Sequence, residues 1–402
     1  IGLVVLTALY TIFGGMKSVL YTSVLQTPIL LLGSLIILVL GFKELGGWDE
    51  MMRVCGAVTV NDYGDTMTNL IRSNDDANFP WLGALIGSAI IGFWYWCTDQ
   101  FIVQRVLSGK NEKEARRGTI FGAYLKLLPV FLFLIPGMIA FALHQKYIGA
   151  GGEGFLPMLA NGTANADAAF PTLVAKLLPA GVKGLVVCGI LAALMSSLAS
   201  LFNSSAMLFT IDFYKRFRPE TPEKKLVGIG QIATVVIVIL GILWIPIMRS
   251  VGDVLYTYLQ DVQSVLAPGI AAAFLLGICW KRTSAQGGMW GLIAGMIIGL
   301  TRLGAKVYYS NAGEVADSTF KYLFYDMNWL FFCGWMFLFC IIVVIVVSLA
   351  TEAPTAEKIQ GLVFGTATKE QKAATRASWD HWDIIHTVII LAITGAFYWY
   401  FW

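Results

Sequence analysis

The chain has 402 residues, of which 57% are hydrophobic and only 13% are charged, with a formal net charge of +3. Soluble domains carry about 25% charged residues, so a soluble fold could not bury this much apolar surface. The composition therefore excludes a soluble enzyme, a nucleic-acid-binding protein and a secreted disulfide scaffold. It indicates an all-α, polytopic protein of the lipid bilayer.

Apolar runs along the chain are long enough to cross a membrane as helices, and none alternates as a barrel strand does. The first run, at 1–15, is shorter than a full span. We expect it to be the end of a helix in a chain that starts inside a larger protein. Nine full spans are then predicted, at 19–42, 81–107, 118–142, 182–212, 226–248, 253–279, 286–306, 327–350 and 383–402.

Lysine and arginine are concentrated in alternate loops, at 16–18, 108–117, 213–225, 280–285 and 351–382. The loop at 43–80 instead has three basic and seven acidic residues. Because loops rich in Lys and Arg stay in the cytoplasm, the first set is predicted to be cytoplasmic. The regular alternation supports the number of spans.

Two predicted extracellular loops, 43–80 and 143–181, are long for a compact helical bundle. They are compatible with lids over an entry path, and equally with a solvated cap that has no gating role. The cytoplasmic segment 351–382 is typical of a mobile linker. His381 and His386 near its end are five residues apart, which is too weak a pattern to predict a metal site.

A polar stripe lies inside the span at 182–212, on one face of the predicted helix. Its members are Ser196, Ser197, Ser200, Asn203 and Ser204. The spacing alone leaves two interpretations open. Small residues let helices pack closely, whereas paired hydroxyls with backbone carbonyls suit a hard cation such as Na⁺, by the preference for oxygen ligands that Ca²⁺ and Mg²⁺ show.

Aromatic and polar side chains are mixed in the segment WYWCTDQFIVQR at 94–105, after glycines at 83, 87 and 92. Glycines before such a cluster are typical of a helix that is broken at mid-membrane. Aromatic faces with a few amides also suit a sugar. The alternative is an aromatic belt at the membrane interface.

Two further polar features lie inside spans. Lys126 is well inside the span at 118–142, so it requires either a carboxylate on a neighbouring helix or a polar ligand. Gln260 shares a helix face with Tyr256, and Pro268 is predicted to kink the same span. Gln260 either binds a ligand or bonds across helices.

Together these segments resemble the sodium:solute symporter family, and within it the sodium/glucose cotransporter branch. The similarity spreads over most of the chain, and the strings WYWCTDQ and ALMSSL are its most specific parts. The similar segments are GGMKSVLYTSVLQ at 14–26, WYWCTDQFIVQR at 94–105, Lys126 with the Pro-Gly that follows, AALMSSLASLFNSSAMLFTIDFYK at 192–215, and YLQ with PGIAAAFLLGICWKR within 258–282.

The resemblance implies a leucine-transporter-like helical bundle of two inverted five-helix repeats. On that scheme the chain lacks core helices 1 to 3 and the helix before them, so we expect a fragment that does not transport by itself. The implied divisions are the end of core helix 4 at 1–15, core helices 5 and 6 at 16–107 with the extracellular loop 43–80, core helices 7 to 10 at 108–279, and additional helices at 280–402 with the cytoplasmic linker 351–382.

The resemblance also implies site residues. Ser196 and Ser197 match two serines whose hydroxyls bind the coupling Na⁺, beside the backbone carbonyl of Ala193. Other residues match positions of the sugar site: Gln260 and Lys126, which reach the sugar; Tyr95, which closes the inner side of the site, with Trp96 beside it; and Tyr256, where the family often has an aromatic gate.

Two residues depart from the family pattern. Ser23 stands where the family has an Asp that helps to release sodium and, in some members, to hold a second sodium ion. A serine carries no charge, so we expect one Na⁺ per substrate. Gly92 stands where some sugar transporters have Asn or Thr, so one hydroxyl contact to the sugar is lost or made through water.

The function implied by the resemblance is sodium-driven symport of a neutral, glucose- or galactose-like sugar across the plasma membrane by alternating access, and not an enzymatic reaction. The alternatives are a sodium symporter for myo-inositol or another small solute, and a sugar sensor without net uptake. An acidic substrate would favour arginine in the pocket, and the sequence offers only Lys126 there.

Overall fold

The computed structural model describes residues 2–159, 162–249, 255–312 and 316–402, and the side chains of all of these except residues 10, 13–23, 25, 26, 246–249, 255, 257, 258 and 311. This part of the chain is helical, with π-helical segments at Val130–Leu134, Leu208–Tyr214 and Tyr322–Asp326. The α-helices are α1 (Gly2–Leu45), α2 (Trp48–Gly56), α3 (Trp81–Cys97), α4 (Gln100–Leu107), α5 (Glu112–Pro129), α6 (Ile135–Gly149), α7 (Ala169–Leu177), α8 (Ala180–Met207), α9 (Lys215–Phe217), α10 (Glu223–Arg249), α11 (Leu255–Cys279), α12 (Ala285–Asn311), α13 (Thr319–Lys321), α14 (Trp329–Ala350), α15 (Ala356–Ile359), α16 (Lys369–Ala377) and α17 (His381–Tyr400).

The long helices account for the predicted membrane spans. Within the described residues, eight are long and apolar enough to cross a membrane, and α3 with α4 makes a ninth when the bent pair counts as one span. Each of the nine corresponds to a full span predicted from the sequence. The prediction of an all-α, multi-pass membrane protein is confirmed.

The first helix differs from the prediction. α1 is continuous from Gly2 to Leu45, so the cytoplasmic loop predicted at 16–18 is wrong, because these residues are helical. The physical reason is the weakness of the stop signal. Two glycines and a lysine interrupt the apolar pattern there, but a glycine lowers helix stability by only about 1 kcal/mol.

The break predicted in the span at 81–107 is present but lies later than expected. α3 and α4 meet at an angle of 47°, after the aromatic cluster and not at the glycines before it. The side chain of Asp99 accepts a hydrogen bond from the backbone N–H of Phe101 at 3.1 Å and so caps α4. Gly87 serves packing instead, because a Cβ atom there would lie 2.9 Å from the carbonyl oxygen of Leu330.

The segment predicted to be a mobile linker, 351–382, contains α15 and α16. The backbone N–H of Phe364 donates to the carbonyl of Ile278 at 2.9 Å. Arg116 donates to the hydroxyl of Ser378 at 3.1 Å, and Arg117 lies 3.2 Å from the carboxylate of Asp380. These contacts tie the segment to α5 and to the end of α11.

The chain divides into two compact units, which we describe separately. The first comprises residues 1–59, 66–68 and 124–250, and the second comprises residues 60–65, 69–123 and 251–402.

In the first unit, α1 and α8 run side by side in opposite directions, and each inserts a branched side chain at a glycine of the other. A Cβ atom at Gly33 would lie 2.5 Å from Cγ2 of Val186, and one at Gly189 would lie 3.0 Å from Cγ2 of Ile29. This exchange of side chains and glycines sets how the two helices align along their length.

In the second unit, α11, α12 and α14 pack on one another, and α3 packs on α11 and α14. The closest approach involves glycines that recur every fourth residue of α12, which brings them to one face. Small residues at this spacing let membrane helices come into backbone contact. The glycines are Gly287 against Ser348, Gly291 against Val344, Gly295 against Gly269, and Gly299 against Val265.

Candidate functional site

The residues predicted to bind sodium lie in the middle of α8, in the first unit. Ser196 is 6% exposed, and Ser200 and Ser204 on the same face are buried. Ser197 is exposed and Ala193 is half-buried. The hydroxyl of Ser204 donates to the carbonyl of Leu201 at 3.0 Å, as expected of a packing residue.

The members of the stripe therefore differ in burial, and both interpretations stay open. Ser200 and Ser204 are enclosed, whereas Ser197 lies at the edge of the buried face, about 100° around the helix from Ser196. The carbonyl of Ala193 lies one turn before both serines. This turn of α8 can offer three oxygens, and hard cations such as Ca²⁺ and Mg²⁺ take about six or more, so the remaining ligands must come from elsewhere.

Tyr256 and Gln260 lie on the N-terminal half of α11, in the second unit. The amide Nε2 of Gln260 donates to the hydroxyl of Tyr256 at 3.0 Å. The tyrosine is exposed and the glutamine is half-buried. One helix face thus presents a phenol and an amide, which together can donate to and accept from sugar hydroxyls.

Tyr95 and Trp96 lie in the last turn of α3, also in the second unit. Their rings meet edge to face with centroids 5.2 Å apart. A Cβ atom at Gly92 would have no atom within 4 Å, so the structure leaves open space beside this turn. Aromatic rings next to such space can stack against the C–H faces of a sugar.

Lys126 lies on α5, in the first unit, close to Pro129 and the π-helical turn that follows it. Its side chain is exposed and is not enclosed by the unit. The role of Lys126 in substrate binding stays a prediction. An exposed ammonium group remains compatible with a ligand.

The predicted residues fall into separate groups. The structure brings Tyr256 and Gln260 together on α11, and Tyr95 and Trp96 together on α3. The sodium residues and Lys126 belong to the first unit. The side chain of Ser23 lies outside the described residues, so its departure from the family pattern stays a prediction.

The structure also shows a charged cluster beside Gln260 that the motif analysis does not include. The carboxylate of Asp261 lies 3.3 Å from Nη2 of Arg302 and 2.7 Å from Nζ of Lys306. Arg302 is fully buried. Its guanidinium group donates to the carbonyl of Met327 at 2.8 Å and lies 4.0 Å from the ring centroid of Phe332.

A sequence signal for this cluster exists. Asp261 lies inside one predicted span, and Arg302 and Lys306 lie inside the span that follows it. Charges inside a membrane helix are costly and normally have partners. Opposite charges on consecutive spans therefore point to an ion pair, and the four-residue spacing of the two cations places them on one helix face.

The sequence matches known transporters. The sodium:solute symporter family matches residues 1–295. The chain is 36% identical to a sodium/mannose cotransporter of Bos taurus over 98% of its own length and 70% of that protein. It is 38% identical to sodium/glucose cotransporter 1 of Ovis aries and 36% identical to sodium/myo-inositol cotransporter 2 of Homo sapiens, over 87% and 91% of its length. The chain spans only 55% and 56% of those two proteins.

A solved structure shows the same fold. It is the substrate-bound, outward-open state of a Na⁺-coupled sialic acid symporter, with a TM-score of 0.65 over 88% of this chain and 66% of the other. The two are 21% identical, so this similarity supports the predicted leucine-transporter-like fold alone. The relatives are transporters and not enzymes, as the resemblance implied. From the family match and the identity to these relatives, the chain belongs to the sodium:solute symporter family.

Proposed function

We propose that the protein carries out sodium-driven symport of a neutral sugar or polyol across the plasma membrane by alternating access. The observation that carries this proposal is the family membership, with relatives named for mannose, glucose and myo-inositol cotransport. The chain has residues that match several of the family's sodium and sugar positions, and the geometry of α8 and α11 is compatible with their proposed roles.

Sodium binds at α8 in this proposal. Ser196 and Ser197 offer hydroxyls, and Ala193 offers its carbonyl, within one turn of a regular helix. One Na⁺ accompanies each substrate, because Ser23 lacks the carboxylate that would favour a second ion. One charge that moves down a potential of 100 mV supplies about 2.3 kcal/mol, enough for roughly fifty-fold accumulation of the substrate.

The substrate binds through Gln260 and Tyr256 on α11, Tyr95 and Trp96 on α3, and Lys126 on α5. The chemistry favours a neutral polyhydroxy compound. Arg302, whose guanidinium group pairs with the residue next to Gln260, is fully buried and held by Asp261. It therefore does not offer a free positive charge to an acidic substrate.

The nearly equal identities to glucose and myo-inositol cotransporters support a second candidate substrate. Identities of 38% and 36% differ too little to distinguish a pyranose sugar from a cyclic polyol as the substrate. Both classes present a ring of hydroxyls to the same amide and aromatic groups. Symport of myo-inositol is therefore the alternative within the same mechanism.

The test is uptake by the full-length protein in proteoliposomes, with radiolabelled glucose, galactose, mannose or myo-inositol and an inward sodium or potassium gradient. We expect sodium-dependent accumulation of at least one compound. Gln260→Ala should weaken uptake through a higher KM for the substrate, and Ser197→Ala should raise the sodium concentration needed for half-maximal uptake.

Matched controls separate binding from folding. Gln231 is another glutamine in a membrane helix, and its amide donates to the carbonyl of Ile12 at 3.3 Å. Gln231→Ala should therefore leave the KM unchanged. Ser205→Ala, two turns beyond Ser197, should leave the sodium dependence unchanged. Sodium-dependent binding without accumulation would instead identify a sensor, and uptake that is equal in potassium would contradict symport.

A further inference from the structure

Gln260 lies on the half of α11 that precedes Pro268. Proline removes one hydrogen bond of the helix and clashes with the preceding turn, so membrane helices bend at such positions. α11 is continuous through Pro268 in the structure. The half that carries Tyr256 and Gln260 nevertheless needs its own contacts to hold its direction.

The contacts of α11 with α12 change in character along this half. Near Pro268 the two backbones meet glycine to glycine, because a Cβ atom at Gly295 would lie 3.0 Å from the Cα atom of Gly269. One turn earlier on α11, Val265 meets Gly299. Glycine surfaces let helices approach closely, and in this stretch the side chain of Val265, whose Cγ1 atom faces Gly299, supplies apolar contact without directional bonds.

One turn further, the same face of α11 ends in the charged cluster. Asp261 lies four residues before Val265, and Arg302 and Lys306 lie three and seven residues after Gly299. The two carboxylate oxygens are divided between the cations, Oδ1 to Arg302 and Oδ2 to Lys306. Such charge-assisted contacts are directional, whereas the glycine contacts are not.

Arg302 fixes this cluster to the rest of the unit. Besides Asp261, it contacts the carbonyls of Leu323 and Met327 and the ring of Phe332 at the start of α14. No part of its side chain is exposed. Asp261 is thus attached to an immobilised cation, and the adjacent residue on α11 is Gln260, about 100° around the helix.

We propose that Asp261 is a positioning residue of the substrate site, which fixes the rotation of the N-terminal half of α11 through Arg302 and Lys306 and so aims Tyr256 and Gln260 at the substrate. This inference rests on the proposed function, because it assumes that Gln260 binds the substrate. The ion cluster then contributes to substrate affinity as well as to the stability of the fold.

The experiment measures sodium-driven uptake by the full-length protein in proteoliposomes, normalised to the amount of folded carrier, with the compound that gives uptake among glucose, galactose, mannose and myo-inositol. Asp261→Asn should raise the KM about tenfold, in the range of coupling between residues in contact. The half-saturating sodium concentration at saturating substrate should change less than twofold. Asp261→Glu should restore most of the affinity.

A purely structural role predicts a different result. It would reduce the number of active carriers, and so Vmax, at an unchanged KM. Asp317→Asn is the matched control, since it removes a similar contact of 2.8 Å to Lys321 in the same unit, and it should leave the KM unchanged. An unchanged KM in Asp261→Asn would overturn the inference.

Two further variants keep the result interpretable. If Asp261→Asn does not reach the membrane, Lys306→Gln tests the positioning role instead, because it removes only the partly exposed cation that pairs with Asp261. It should raise the KM about threefold, and an unchanged KM would overturn the inference. Gln260→Ala separates the two proposals. If it does not raise the KM, the assigned substrate site is wrong; if it does and the Asp261 variant does not, only the positioning role fails.

Discussion

The helix pairs that carry the candidate sodium residues and the candidate substrate residues are held in different ways. α8, with the sodium residues, meets α1 through branched side chains that enter glycine gaps, at Gly33 and Gly189. α11, with Gln260, meets α12 through the facing glycines Gly269 and Gly295, through Val265 at Gly299, and then through Asp261 and its two cations. Both pairs use small residues and branched side chains for close approach, but the pair in the second unit adds an ion cluster.

Each pair is therefore vulnerable to a different kind of substitution. Interlocked apolar side chains lose stability in proportion to the volume that is added or removed. A buried ion cluster tolerates the joint replacement of its members far better than the loss of one, because the remaining charge is left without a partner in a medium that solvates it poorly. The predictions below test this contrast, from the largest effect to the smallest.

The largest expected effect follows the loss of Asp261. Asp261→Leu leaves the buried Arg302 without its carboxylate, and we expect the folded carrier to lose about 3–5 kcal/mol of stability. The measurement is thermal unfolding of the purified protein in detergent. The double variant Asp261→Leu, Arg302→Met should recover most of the loss. Equal destabilisation by the double variant would contradict the ion-cluster account.

The second prediction compares glycines of the two pairs. Gly33→Ala places its Cβ 2.5 Å from Val186 Cγ2, and Gly299→Ala places its Cβ 2.7 Å from the carbonyl oxygen of Val265. Each should cost about 1–3 kcal/mol by overpacking. Truncation of Val186 to Ala should rescue the first, whereas no change of the Val265 side chain removes the backbone contact of the second.

Gly288→Ala is the matched control for both. It lies on α12 beside the glycine face, and a Cβ atom there meets nothing within 4 Å. Alanine should therefore be neutral or stabilise the helix by up to about 1 kcal/mol. If Val186→Ala fails to rescue Gly33→Ala, the packing of α1 against α8 is not set by this side chain.

The sequence predicts more of the fold than of the site. Hydropathy locates all nine full spans, because burial in lipid requires long apolar runs. It misplaces the loop at 16–18, where weak helix breakers are overridden. It also expects the break at the glycines of α3, of which Gly83 and Gly87 instead pack on Leu330 of α14. The cap made by Asp99 marks where α4 begins after the break, and a single capping residue leaves little trace in hydropathy.

The candidate site is likewise predicted only in part by the sequence. The face shared by Tyr256 and Gln260 follows from their four-residue spacing, and the structure confirms that they meet. The sequence treats the serine stripe as one feature, whereas the structure separates enclosed Ser200 and Ser204 from exposed Ser197. Which member of a stripe is enclosed depends on the neighbouring helix, and that information is absent from the spacing.

A smaller effect is expected where an uncharged side chain holds a helix end. Asn328 accepts from the backbone N–H of Leu330 at 2.8 Å and donates to the carbonyl of Ala77 at 2.7 Å. Asn328→Ala should cost about 1–2 kcal/mol in thermal unfolding, since it removes a cap and a loop contact. Asn328→Asp keeps the accepting oxygen and loses the donor, so it should cost less. Equal costs would show that the cap contributes nothing.

The smallest effect concerns a half-buried carboxylate in a loop, where neither packing nor a low-dielectric ion pair operates. Asp65 accepts hydrogen bonds from the side chain of Asn61 at 2.7 Å and from the backbone of Ser73 at 2.7 Å, and these hold its pKa below the ordinary value of 3.8. A carboxylate whose pKa is lowered by folding stabilises the folded loop at pH values above its ordinary pKa. The contribution disappears as the pH falls through the lowered pKa.

We therefore expect hydrogen exchange at the Ser73 amide to accelerate as the pH falls below about 4, once the intrinsic pH dependence of exchange is subtracted. Asn61→Ala removes the main cause of the shift, so the acceleration should begin at higher pH. Asp65→Asn should abolish this component, whereas Asp62→Asn, with the same change in charge nearby, should retain it. Asp76 also accepts a hydrogen bond from the side chain of Asn61, and its pKa is likewise lowered. If the acceleration of exchange persists in Asp65→Asn, the titrating group is Asp76, the more buried of the two carboxylates.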